Sequence, residues 1–155
     1  MWTERAAMET DVSEVTIAAI GVDRFSGSQC AFLTAPRSRL GVSVALTPPQ
    51  ATALLVCQED GGAPAHSPYG TLASLLWDNH FTPLRVVLSP GSASSALLYH
   101  DGAEIRRLET SDGEGTVLAA HFGLTLLVPA HFLKDLDPTM ASHSSRMDVL
   151  YFSTV

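Results

Sequence analysis

The sequence predicts an α+β fold: a mixed or antiparallel sheet with hairpins, packed against three to four short helices. Three observations carry this. Runs rich in β-branched residues open the chain, as in "VSEVTIAAIGV" from Val12. Short helical signals then fall between strand-like runs. Finally, "ALLYHDGAEIRRLE" sets Asp101 and Gly102 between two alternating runs, which predicts a hairpin with a tight type I′ turn.

The elements follow in order. Residues 1–11 read as an acidic leader. The first strand begins at Val12, turns through "DRFSGS" and continues into a second, "QCAFLTA"; "VSVAL" gives a third. Thr47 is then a good N-cap, with Pro48 and Pro49 in the first helical positions, where a missing N–H costs nothing. Gln50, three residues after Thr47, completes a capping-box pattern. That helix runs through "ATALLVCQ" and is apolar nearly all round, so burial on more than one side is expected.

After the Gly/Pro-rich "EDGGAPAHSP", a second helix is expected from about Tyr69 to Asn79, with Leu72, Leu75 and Leu76 on one face. "PLRVVLS" is the next strand, and "PGSASS" reads as a flexible link before the Asp-Gly hairpin. "TSDGEG" reads as a polar connector and "TVLAAHF" as a short helix ending at Gly123, which suits a left-handed cap. "LTLLV" is a last core strand, and Pro129 opens a short helix. Residues 137–155 form a C-terminal extension whose end, "VLYFSTV", is strand-like and is expected to fold back or pair in a dimer.

Composition narrows the functional classes. Apolar residues make up 46% of the 155, which argues for a packed core rather than disorder. No apolar run approaches the roughly 18 residues that span a bilayer. The N-terminal stretch is acidic and lacks an apolar signal core, so the expectation is a cytoplasmic protein with no membrane partner. Nine basic residues face sixteen acidic ones, a net charge of −7, which disfavours a polynucleotide partner. Cys30 and Cys57 sit inside apolar runs and read as small buried hydrophobes.

The chemistry-bearing residues are few. Asp101, Glu104, Glu109, Asp112 and Glu114 form the densest acidic cluster, but its spacing fits no calcium loop. The plainer account is a solvated hairpin followed by a helix start, where Glu114 favours the positive end of the helix dipole. None of the six histidines forms a local zinc pair. His121 stands out because it ends the helix whose start holds Glu114, and its plainer role is at the negative end of the same dipole. His66 lies in the "APAHSP" loop. No serine elbow, phosphate loop or stacking platform is present in the pattern.

Three stretches, "GVSVALTPPQATALL", "SPYGTLASLLWDNHFTPLRVVL" and "EGTVLAAHFGLTLLVPAHFL", resemble the bifunctional nuclease (BFN) domain family of bacteria and plants. With the hairpin they cover residues 12–136. The resemblance implies an α+β homodimer or larger assembly and a nuclease acting on DNA or RNA with a divalent metal, Mg²⁺ or Mn²⁺. If the chain is a nuclease of that kind, a divalent metal would be bound around Glu114 with help from Asp112 or His121, which leaves Glu114 and His121 as the catalytic candidates and Asp112 and Glu114 as the metal candidates. The chain departs from the family pattern at Gln50, where a glutamate is usual, and at Tyr69-Gly70-Thr71, where a Thr-His-Asp-like stretch is usual. At Gly113-Glu114, in place of a Ser-Asp pair, one carboxylate survives. The expectation is therefore a divergent member working as a homodimeric binding or regulatory module with little or no catalysis; the alternative is the metal-dependent nuclease.

Overall fold

A computed structural model describes residues 11–22, 27–60, 67–91 and 94–135 of the protein. The expected leader, most of the first turn, His66 and the C-terminal extension with His143 lie outside the described residues.

Eight strands and three α-helices are described. The strands are β1 (Val12–Val22), β2 (Gln29–Thr34), β3 (Leu40–Leu46), β4 (Thr82–Val87), β5 (Ser95–His100), β6 (Ile105–Thr110), β7 (Thr125–Pro129) and β8 (Lys134–Asp135). The helices are α1 (Pro48–Asp60), α2 (Pro68–Asp78) and α3 (Asp112–Phe122). The strands form one sheet in the order β6-β5-β4-β7-β1-β2-β3-β8. Hairpins dominate, and β4 with β7 is the single parallel pairing among the described strands. The predicted α+β class, with a mixed sheet packed on short helices, is what the structure has.

Strand β1 joins the two halves of the sheet. Its first residues pair with β7, from Val12 opposite Pro129 to Val15 opposite Leu126. From Thr16 onward it pairs with β2 instead, with an irregularity between Ile17 and Ala19. An extra residue at such a point bends the strand and raises its twist. The bend lets the sheet curl around α3, which packs on β4, β5 and β7 and also reaches β3 from the other half.

The first turn of α3 is pinched by that curl. A Cβ at Gly113 would lie 2.9 Å from the Ala45 carbonyl oxygen of β3. One at Gly115 would lie 3.1 Å from both Val86 of β4 and Leu88. Here the two glycines are explained by close approach rather than by backbone angle. Beyond them, Thr116, Val117, Leu118 and Ala119 are buried in succession. They join Val15, Ile20, Leu33, Val44, Leu54, Leu97 and Val128 in one core drawn from most of the fold. Helix α1 buries Ala51, Leu54 and Cys57 along one line, and Ala53 and Leu55 pack half-buried beside it.

Four local expectations are corrected. The β5–β6 hairpin is present, but His100 pairs with Ile105, which leaves a four-residue loop instead of a two-residue type I′ turn. The Asp101 carboxylate closes that loop by accepting from the Ala103 and Glu104 amides, and Gly102 alone takes a positive φ. An Asp side chain that mimics a turn in this way removes the need for two left-handed residues. Helix α3 begins at Asp112, not Thr116, so most of the polar connector is its first turn. The "PGSASS" link ends in Ser95, which is fully buried at the start of β5. After Pro129 there is only a 3-10 turn, Ala130–Phe132, followed by the two residues of β8, which pair with Leu40 and Gly41.

Candidate functional site

The capping box read from the sequence is formed in both directions. The Thr47 amide donates to Gln50 Oε1 at 3.0 Å, and the Gln50 amide donates to Thr47 Oγ1 at 3.3 Å. This fixes the Gln50 side chain with its carbonyl turned back to the cap and its Nε2 turned away. That Nε2 donates to Glu114 Oε2 at 3.3 Å. The Tyr69 hydroxyl donates to the same oxygen at 3.2 Å. One carboxylate thus ties together the starts of all three helices.

Each start has its own reason to be there. Ser67 caps α2 by accepting from the Gly70 amide, with Pro68 in the first helical position, which places Tyr69 in the first turn. Ser111 caps α3 by accepting from the Glu114 amide at 3.2 Å. Ser111 and Glu114 have capping-box spacing, but the Glu114 carboxylate is turned to Gln50 and Tyr69.

Burial and the Glu114 charge set the acid–base state of Tyr69. Burial is the larger cause; the nearby carboxylate and the hydrogen bond to it add, and the phenol is pushed up to about 12. It is a hydrogen-bond donor at any physiological pH. Burial likewise pushes the Cys57 thiol up, which disfavours the reactive thiolate. Burial holds His121 below its usual range, against an opposing hydrogen bond with the Tyr69 backbone. The Tyr69 and His121 rings lie 6.3 Å apart between centroids.

The sequence-derived candidates separate accordingly. Glu114 and His121 lie about two helical turns apart on one face of α3, and Tyr69 interacts with both. Asp112 does not join them, because two positions along a helix turn a side chain by about 200°. Its carboxylate faces the β4–β5 connection, where Oδ1 accepts from the Ser95 hydroxyl and Oδ2 accepts from the Gly91 amide at 3.2 Å. Ser95 Oγ in turn accepts from the Ser89 amide at 2.9 Å. Asp112 and Glu114 therefore do not form a metal pair. Among the described residues, no three His, Cys, Asp or Glu side chains converge where they could hold a metal ion.

Asp101, Glu104 and Glu109 are elsewhere, on the exposed β5–β6 hairpin. Arg106 bridges Asp101 at 2.5 Å and Glu104 at 3.3 Å, and its hydrogen bond holds the Asp101 carboxyl well below the usual range. Tyr69 and Ser95 are the participants that sequence reasoning missed. Tyr69 enters the sequence reading only as a helix start and as a departure from the pattern the chain resembles, and the composition before Ser95 reads as a link.

A concavity of about 370 Å³ opens where β1 leaves β7. It is lined by Thr16, Ile17, Ala119, Ala120 and Thr125, with Glu14 as its one charged lining residue. Among its described lining residues no acid is paired with a base. No helix among the described residues is long and apolar enough to cross a membrane. No family model matches this chain, and no curated protein matches it either.

Proposed function

We propose that this chain is a divergent BFN-like domain that acts as a cytoplasmic homodimeric binding or regulatory module, with little or no catalysis. One observation carries the reading: the two acidic side chains in the first turn of α3 act as interior clasps. Glu114 accepts from Gln50 and Tyr69, and Asp112 accepts from Ser95 and Gly91. Phosphodiester hydrolysis by metal ions needs several such groups aimed together at the reacting phosphate. Here they point to opposite sides of one helix. The net charge of −7 also works against a polyanionic substrate.

The alternative, metal-dependent hydrolysis of DNA or RNA, has one observation in its favour. Glu114 and His121 share a face of α3 and both interact with Tyr69.

Cleavage assays on single-stranded DNA, double-stranded DNA and RNA decide between them. Highly purified protein is run with Mg²⁺ or Mn²⁺ against EDTA, beside an identically purified Glu114→Gln variant. No cutting by either protein supports the binding module. Metal-dependent cutting that the variant loses overturns it in favour of the nuclease. Sedimentation at micromolar concentration tests the dimer, which a monomeric wild type would refute.

A further inference from the structure

We infer that two copies of this chain associate by antiparallel pairing of their β6 strands, which joins the two sheets edge to edge. This rests on the homodimer reading above and says which surface makes the dimer.

Strand β6 ends the sheet order, so one of its edges has no strand beside it among the described residues. Its pairing with β5 runs without irregularity, from Ser95 opposite Thr110 to His100 opposite Ile105. It contains no proline and no bulge, two devices that keep an exposed edge from pairing, and its charged residues, Arg106, Arg107 and Glu109, carry both signs, so a partner strand can match them. Five of its six residues are exposed, and they include two large apolar ones, Ile105 at 44% and Leu108 at 41%. The other end of the sheet is treated differently. There β8 is only two residues long and charged, and the first turn of α3 lies against Ala45 of β3. A regular six-residue edge is suited to strand addition.

Charge selects the partner and the register. In β6, Leu108 and Thr110 lie opposite Leu97 and Ser95, whose side chains face the helices. Arg107 and Glu109 alternate onto the other face. A twofold axis perpendicular to the sheet keeps each face on its own side, so it must pass through a residue. Through Leu108, it sets the two leucines opposite each other and Arg107 opposite Glu109 of the partner subunit, twice by symmetry. Through Arg107 it would oppose like charges, and through Glu109 it would do the same with fewer residues paired. Opposite charges directly across an antiparallel pair stabilise it, and like charges destabilise it. Arg107 also donates to the Ser94 carbonyl of its own chain, which steadies the side chain at the edge. The strand is thus complementary to itself in one register, which points to a second copy rather than an unrelated peptide.

Sedimentation of complementary variants tests this. Arg107→Glu alone and Glu109→Arg alone each place like charges opposite one another, and each should weaken the dimer roughly tenfold to a hundredfold. An equimolar mixture of the two restores opposite charges at both positions and should recover dimer at near the wild-type concentration. Hydrogen exchange on the wild type gives a reading without any substitution: alternate β6 amides should become protected as protein concentration rises. Variants that dimerise as tightly as wild type, or a mixture that fails to recover, overturn the β6 interface and leave the homodimer standing. A wild type that is monomeric at micromolar concentration overturns both.

Discussion

Gln50 Nε2 donates to Glu114 Oε2 at 3.3 Å, across a sequence separation of 64 residues. The bond links the capping box of α1 to the first turn of α3. Because Oε1 of the same Gln50 accepts from Thr47, one amide group serves a local cap and a long-range clasp at once. A glutamate at position 50 could still accept from the Thr47 amide, but it would oppose its charge to Glu114 and have no N–H to donate to it. The glutamine is thus matched to the carboxylate at position 114.

Disturbing either end should be felt at the other. Gln50→Ala and Glu114→Ala should each destabilise the fold by about 1–3 kcal/mol, since each strands a part-buried polar partner. Their combined effect should fall short of the sum by about 0.5–1.5 kcal/mol. Urea unfolding of the four proteins in the cycle reads this directly. Strict additivity would mean that the two side chains do not interact in solution.

Tyr69 gives the clasp a pH signature. Its phenol is raised from 10.0 to about 12 in the folded protein, so the fold favours the protonated form. That stabilisation is complete below pH 10.0 and is lost as pH rises from there through about 12. Tyr69→Phe should remove this part of the alkaline loss, and Glu114→Gln should lower the phenol's titration midpoint. Ultraviolet titration of the tyrosines, paired with unfolding measured across the same range, checks both.

His121 titrates in the opposite sense. Burial depresses it below 6.5, so the fold favours the neutral ring. Its contribution is present above pH 6.5 and is lost as pH falls through the folded value. A His121→Gln variant should lose less stability than wild type on acidification over that range. Imidazole proton shifts followed by NMR locate the folded midpoint, and a value at or above 6.5 would contradict the burial account.

Much of the fold was legible because its signals are local. Alternation and β-branching marked the strands, and Thr47-Pro-Pro-Gln50 marked the start of α1 down to its two reciprocal bonds. The first turn of α3 was not legible, since Gly113 and Gly115 lower helix propensity and their reason is tertiary. Asp101-Gly102 announced a hairpin, but the Asp101 side chain changed the turn that closes it. At the site, Glu114 and His121 were found through spacing along one helix. Their link to Tyr69 spans 45 residues for Glu114 and leaves no periodic trace.

The Ser95–Asp112 clasp has a separate consequence. Ser95 is fully buried, donates to Asp112 and accepts from the Ser89 amide. Ser95→Ala keeps the volume close and removes both bonds, so it should cost about 1–3 kcal/mol. The loss should be local as well as global: the Ser89 and Gly91 amides should exchange faster with solvent while β1 and β2 stay unchanged. Hydrogen exchange resolved by residue distinguishes this from a general loosening.

The two glycines of α3 make the sharpest test of the curled sheet. Intrinsic preference favours alanine over glycine inside a helix by about 1 kcal/mol, so an unpinched helix would be stabilised by either change. Here a Cβ at position 113 would collide with Gln50 Oε1 and lie 2.9 Å from the Ala45 carbonyl oxygen. The glutamine could swing aside only by giving up its cap and its bond to Glu114, and the carbonyl is backbone in a paired strand. At position 115 the nearest atoms, Thr110 Oγ1, Leu88 Cδ2 and Val86 Cγ1, lie at 3.0–3.1 Å and are side-chain atoms that need give only slightly. Gly113→Ala should therefore destabilise by about 1–3 kcal/mol, with Gly115→Ala closer to neutral. Chemical denaturation of both variants measures the difference, and a stabilised Gly113→Ala would mean that α3 does not lie against β3.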